Sequence, residues 1–573
     1  MPGTLPLPQT LPTLQLLLLA LAQGLGLLAL HQAVQLNYWP ANSPTWLLAL
    51  YSLALCGPLT LLLTLEQGNR HIALRWLIPF NLLLATLAFY TGAQVLSTAE
   101  AELQQVLPLF IFTALIAGFK VLMYVQNFSH GHRLSYHLLF RYSWRNALSL
   151  ALALVFTLCV WAALMLWAQL FKVIGITLFA DIFTQSWFYY PILSLAFGLG
   201  VIIFRSQIQI IDTLSRILQA LCKFLLIMLI VVSLLFLAAL PFTGLDLLWD
   251  TGRGSVLILA MQGLILFLLN AVYQDEPDSR PYPLWLHRFI YFGVALLPVY
   301  SLIVSYGLYL RVEQYGWTIS RALGCLIWLL FSLFSMGYLS GIARLRDRWL
   351  EQLSWVNVRM GWLVLALMLM LNSPLLDLRK ISVNSQLARI EQGTLILQEA
   401  DLRYFRYWLA EPGFIALQDL KQRYPDNGEL QLKIDNLYLP PQEQQAMSQA
   451  QFIAKLQMPN EHSVPDELLA VAYQYASTDS WQLNRLKQGW LLALDLDQDS
   501  NSDYVLVQLF NHSHNITLFY QQQGQWQHSA MSTSVLGAER EQALIDNLSQ
   551  TPVVTPPRWQ NLQIGELKLS VQP

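Results

Sequence analysis

Between Leu11 and Leu376 the chain is a succession of long apolar runs, separated by short polar breaks. This feature constrains the fold more than any other. A helix needs about 20 mostly apolar residues to cross roughly 30 Å of hydrocarbon at about 1.5 Å per residue. Eleven runs meet that requirement, near 11–33, 45–65, 76–96, 106–125, 147–170, 188–204, 224–243, 255–273, 289–310, 322–341 and 361–376. After Asp377 charged residues and Gln become frequent, and no run is long enough to span. Only 12% of all residues are charged, against roughly 25% in an ordinary soluble domain. The expected fold class is therefore a membrane all-α region of about eleven transmembrane helices, followed by a soluble α+β C-terminal domain. The expected divisions are a polytopic domain over 1–376, a helical region over 377–480 and a small β region over 481–573.

Lys and Arg are distributed unevenly between alternate loops. The loops 66–75, 126–146, 205–223, 274–288 and 342–360 hold fourteen, whereas 34–44, 97–105, 171–187, 244–254 and 311–321 hold four. Short loops rich in Lys and Arg stay in the cytoplasm. The expectation is a bacterial inner-membrane protein with a cytoplasmic N-terminus and, after an odd number of spans, an extracytoplasmic C-terminal domain. The opening "MPGTLPLPQT" lacks the basic region of a secretory signal, so the first run reads as a retained span. Two basic, aromatic-rich loops, 126–146 and 342–360, read as short helices at the cytoplasmic interface. His130, His132 and His137 in the first are a weak metal set, with no carboxylate or Cys beside them. A net charge of −2 offers no basic excess for nucleic acid. The four cysteines, Cys56, Cys159, Cys222 and Cys325, lie in or beside apolar runs and read as small buried hydrophobes.

Ionisable residues deep in a span usually mark a transport path. The runs carry amides instead, Asn81, Gln94, Gln169, Gln262 and Asn270, which read as helix–helix hydrogen bonds. Carboxylates that would serve a site at the outer face are Asp181 in "GITLFADIF" and the pair Asp246 and Asp250 in "GLDLLWDTGRG", joined by Arg311 of "RVEQYGWT" as a lipid-headgroup or substrate contact. Paired carboxylates can hold a divalent metal for a phosphate substrate. The plainer reading of "RVEQYGWT" is a turn: Gly316 for the bend, Thr318 as helix cap, Tyr315 and Trp317 in the headgroup zone, and an Arg–Glu pair.

In the soluble part, helical periodicity with Pro and Gly breaks runs from about 384 to 480, and strand-like alternation begins near 489. Between two strands lies "LDLDQDSNSDY". Counting Asp495 as position 1, positions 1, 3, 5, 7 and 9 are Asp495, Asp497, Asp499, Asn501 and Asp503. Calcium takes six to eight oxygens, and a tight loop delivers them from alternate residues. The loop lacks glycine at position 6 (Ser500) and glutamate at position 12 (Leu506). A structural Ca²⁺ site and an acidic solvated hairpin are the two readings.

Several ordered strings, "LFKVIGITLFADIF", "WFYYPILSLAFGLG", "NAVYQDE", "RPYPLWL", "LPVYSLIVSYGLYLRVEQYGWT", "ISVNSQLARIEQG" and "PPRWQNLQIGELKL", resemble the bacterial multi-pass proteins of the domain of unknown function 4153 family. The resemblance runs from about residue 108 to the C-terminus. It implies an integral membrane protein with no established reaction and no agreed catalytic residues. Relatives read closer to D-x-[DN]-G-D-G at the aspartate loop, a departure that bears on metal affinity. Two functions follow as expectations. One is a non-enzymatic envelope sensor or scaffold, in contact with the lipid bilayer and an envelope protein partner. The other is a membrane-embedded lipid or glycan transferase, or lipid carrier, with its site at the outer face.

Overall fold

The computed structural model describes residues 11–96, 103–129, 131, 134–245, 249, 253–273, 281–395, 397, 400–439, 447–458, 464–478, 483, 486–497, 502–510, 514–522, 524–531, 562–564 and 567–569. Packing divides the chain into two units, Met1–Arg423 and Tyr424–Pro573.

The first unit is helical. Its helices are α1 (Thr13–Gln35), α2 (Pro44–Thr64), α3 (Arg70–Ala93), α4 (Leu107–Ser129), α5 (Tyr136–Val173), α6 (Leu178–Phe183), α7 (Ser186–Ser206), α8 (Ile208–Thr243), α9 (Gly254–Val272), α10 (Leu284–Ala295), α11 (Leu297–Tyr315), α12 (Ile319–Leu345), α13 (Leu350–Met370), α14 (Leu378–Glu391), α15 (Leu402–Trp408) and α16 (Ala410–Arg423). Among the described residues eleven segments are long and apolar enough to cross a membrane, with α10 and α11 together forming one of them. The break between these two falls at Leu296, just before Pro298, whose ring removes a hydrogen-bond donor and crowds the preceding turn. Two stretches between the expected spans are continuous with spanning helices: part of 126–146, expected as a separate short interfacial helix, and part of 205–223, expected as a loop. Residues 136–146 form the first three turns of the 38-residue α5, and 208–223 open the 36-residue α8. Neither stretch holds a Pro or Gly to stop the helix.

Close helix approach rests on small residues, as expected where lipid tails give no hydrophobic advantage to association. A Cβ added at Gly198 of α7 would lie 2.4 Å from the Cβ of Ala20 on α1. Polar side chains join helices across the interior. Buried Gln262 donates to Ser301 Oγ at 2.8 Å and to Ser335 Oγ at 2.9 Å. Asn270 accepts from the hydroxyl of Tyr136 at 2.9 Å and from the amide of Asn357 at 2.6 Å. Asn81 donates to Thr60 Oγ1 at 3.0 Å. Asn81, Gln262 and Asn270 thus join helices as the sequence assigned them, whereas Gln169 is exposed on α5.

Two clusters tie helix ends together. At one end, buried Arg205 of α7 donates to the carbonyls of Leu62 at 2.5 Å and Leu65 at 3.2 Å, and pairs with Glu66 at 3.6 Å. These carbonyls end α2 and have no partner within it. At the other end, Asp377 accepts from Tyr90 Oη at 3.0 Å and Gln94 Nε2 at 3.1 Å, while Arg379 donates to Gln94 Oε1 at 2.9 Å. The third and eleventh spans therefore finish on the same side, as strict alternation requires. Burial draws the Arg379 guanidinium below its ordinary pKa, and Asp377 and Tyr90 beside it act in the opposite direction.

The second unit holds α17 (Gly428–Asn436), α18 (Gln449–Ala454) and α19 (Asp466–Ser477), with a five-stranded sheet in the order β1-β2-β3-β4-β5. The strands are β1 (Leu456–Gln457), β2 (Gln488–Leu494), β3 (Asp503–Leu509), β4 (His514–Gln522) and β5 (Gln525–Ala530). β1 joins β2 in parallel, and β2 to β5 form an antiparallel meander. β3 is buried along its whole length, which explains its continuous apolar run "YVLVQL". A short pair, β6 (Leu562–Ile564) and β7 (Leu567–Leu569), forms a second sheet.

Candidate functional site

The chain between α11 and α12 turns sharply at Gly316, with φ 71° and ψ −176°. Only glycine adopts that conformation readily. The turn leaves the last carbonyls of α11 without helical partners, as every helix C-terminus does. Here each is met by a side chain from another helix. Arg389 of α14 donates to Glu313 O at 3.1 Å and Gln314 O at 2.8 Å. Arg321 of α12 donates to Tyr315 O at 3.2 Å and Gly316 O at 2.8 Å. Gln386 reaches Tyr315 O at 3.0 Å and Trp317 O at 3.1 Å, and Ser382 reaches Trp317 O at 3.2 Å. The amide of Trp317 donates to Ser385 Oγ at 2.9 Å, and that of Ile319 to Tyr404 Oη at 2.9 Å. The turn "EQYGWT" is clasped by one face of α14, and Thr318 caps α12 through Arg321 N.

Beside this clasp opens a groove of about 560 Å³. Val312, Trp317, Ile381 and Ala388 supply apolar walls, and Asn384, Ser385, Arg389 and Gln392 supply polar groups. Arg321 lies within electrostatic reach of Arg311 and Arg389, and no carboxylate is among the groups acting on it. Its guanidinium stands 5.2 Å from the Tyr315 ring centroid. Tyr315 and Trp317 are exposed.

The expected turn is present, with Gly316 and Thr318 in their assigned roles. The arginines that serve it differ from the expected pair. Among the described residues Arg311 makes no ion pair with Glu313, whose partner is the Tyr309 hydroxyl. Arg389, Asn384 and Ser385 were not singled out in the sequence. The signal lay in two of the quoted strings, "RVEQYGWT" and "ISVNSQLARIEQG", which meet here.

The other sequence candidates are dispersed or undescribed. Asp181 is exposed on α6, which packs on α5 and α7, whereas Arg311 lies on α11, which packs on α9 and α12. No hydrogen bond or ion pair links the two among the described residues. Asp246 and Asp250 lie outside the described residues, as do His130 and His132. In the aspartate loop, pairing of Leu494 with Asp503 brings its two ends together. Asp503 is buried and accepts from Leu496 N at 3.1 Å. Asp495 and Asp497 are at the mouth of the same turn, and Asp499 and Asn501 lie outside the described residues.

Eleven apolar helices, polar cross-links between them and a clasped turn at one bundle end define a multi-pass membrane protein. The family described as a domain of unknown function, DUF4153, matches residues 3–420, and the chain belongs to it. The family read from the strings is thereby confirmed; the match begins well before residue 108, and the string "PPRWQNLQIGELKL" lies beyond its end. No curated protein and no solved structure matches the chain.

Proposed function

We propose that this protein is a non-enzymatic sensor or scaffold of the bacterial inner membrane, with its N-terminus in the cytoplasm and its groove and C-terminal unit on the outer side. The observation that carries the reading is the groove against α14. It is anchored by hydrogen bonds on a glycine turn, is half apolar and half polar, and sits where the ninth span ends. A rigid frame around an open amphipathic groove is what a binding site for an envelope ligand needs. The excess of Lys and Arg in the opposite loops supports the orientation. The transferase or carrier reading needs Asp181, Asp246, Asp250 and Arg311 around one cavity, and no observation favours it.

The aspartate loop is the second element of the proposal. Asp495, Asp497, Asp499, Asn501 and Asp503 hold a structural calcium ion that clips β2 to β3, an arrangement favoured by millimolar calcium outside the cell. The strand register that closes the loop supports this.

The test of the receptor reading is the variant Asn384→Cys, since Asn384 is exposed at the groove. A membrane-impermeant maleimide labels it in intact cells, and labelling is faster on purified protein stripped of bound ligand. The wild-type chain controls for its own cysteines. Labelling that requires permeabilised cells refutes the orientation. Equal rates in cells and in stripped protein refute an occupied groove.

A further inference from the structure

We infer that the groove between the α11–α12 turn and α14 is a site for the phosphate headgroup of an anionic phospholipid, with an acyl chain against its apolar wall. The inference rests on the receptor reading above and names the ligand's chemistry.

Arg389 lines the groove, Arg321 lies within electrostatic reach of both Arg389 and Arg311, and the three carry three positive charges. The α11 C-terminus that Arg321 and Arg389 cap contributes only about half a negative charge. The Glu313 carboxylate, whose partner is the neutral Tyr309 hydroxyl, offsets one more, which leaves roughly one and a half positive charges, and no carboxylate is among the groups acting on Arg321. The excess calls for an anion from outside the protein. Arg311 is the guanidinium with donors to spare, because among the described residues it makes no hydrogen bond or ion pair. A guanidinium fork matches phosphate oxygens in pairs.

Depth supplies the second argument. The turn follows directly on a spanning segment that ends at Tyr315. Tyr315 and Trp317 are 53% and 37% exposed, the placement of rings that sit at headgroup level. Lipid phosphate is the anion present at that depth. Shape supplies the third. Ile381 is 39% exposed beside Val312 and Ala388, so the groove presents hydrocarbon next to Arg389. A free phosphate would leave that wall in water, whereas a lipid covers it.

The test uses the full chain in micelles with equal amounts of phosphatidylglycerol and phosphatidylcholine, read by native mass spectrometry. Retained phosphatidylglycerol should exceed phosphatidylcholine. Arg311→Gln, which breaks no structural bond, should lower phosphatidylglycerol occupancy about five-fold, equivalent to about 1 kcal/mol for one cation at a lipid surface. Ala388→Trp, which fills the groove, should remove the preference. Lys172→Gln, a cation remote from the groove, should leave it unchanged. No preference between the lipids, an unchanged Arg311→Gln, or an equal loss in Lys172→Gln overturns the inference. Displacement of the lipid by 10 mM inorganic phosphate also overturns it, in favour of a soluble phosphate. If Ala388→Trp abolishes the ligand protection of the Asn384→Cys thiol while lipid type and Arg311→Gln have no effect, the receptor reading stands and the lipid assignment falls.

Discussion

Replacing Gly316 with alanine tests the clasp directly. The backbone there, φ 71° and ψ −176°, is glycine-only territory, and a side chain in it costs about 1–3 kcal/mol. The new Cβ would also stand 2.7 Å from Arg389 Cδ and 3.0 Å from both Gln386 Nε2 and Ser385 Oγ. Those atoms belong to flexible side chains and can move, but moving them breaks the bonds that cap α11. Loss of the Arg389 bonds to two carbonyls costs roughly 1.5–3 kcal/mol, the range for a charge-assisted hydrogen bond. The expected total is about 2.5–6 kcal/mol. Equilibrium unfolding of the full chain in bicelles, with increasing SDS, measures it. Arg389→Gln alone should cost about 2 kcal/mol. Because both changes act on one clasp, the double variant should lose less than the sum by 1 kcal/mol or more. Strict additivity, or a Gly316→Ala loss below about 1 kcal/mol, refutes the claim that turn and α14 form one unit.

Three other outcomes follow from the packing and the loop. Gly198→Leu should disrupt the α1–α7 contact, where even a Cβ lies 2.4 Å from Ala20, and should lower the Tm by several degrees in a detergent melt, whereas Gly26→Leu, with open space around it, should not. Arg205→Leu should destabilise by about 3 kcal/mol in the SDS titration, because it removes the cation beside Glu66 and the donors to two helix-end carbonyls, while Arg216→Leu on an exposed face should cost under about 0.5 kcal/mol. Millimolar calcium should raise the Tm of the C-terminal unit in the intact protein, and Asp497→Ala should abolish the rise; an equal melt with calcium and with EDTA refutes the ion clip.

The spanning helices were legible because the physics behind them is one-dimensional. A run of about 20 apolar residues announces itself wherever its neighbours are. Residues 205–223 escaped the same reading. Their Lys, Arg and Gln lower the local hydropathy, although nothing in them stops α8. The groove was illegible for a different reason. Its walls come from 312–317 and 381–392, and the bonds joining them run mostly from side chains to backbone carbonyls. A carbonyl has no residue type, so such bonds leave no complementary pattern in sequence. The expected Arg–Glu pair at Arg311 illustrates the cost: opposite charges two residues apart invite pairing on paper, but helix geometry turns them to different faces. The aspartate loop showed the reverse case, with a spacing plain in the sequence and three of its five members among the described residues.

The bond between Tyr90 and Asp377 spans 287 positions of chain. During synthesis Tyr90 and Gln94 enter the bilayer long before Asp377 leaves the ribosome, and their polar atoms wait there unmatched. The knot at that end closes only when the last helix arrives. A chain cut short before Asp377 thus lacks the acceptor for both groups, and the last helix supplies it.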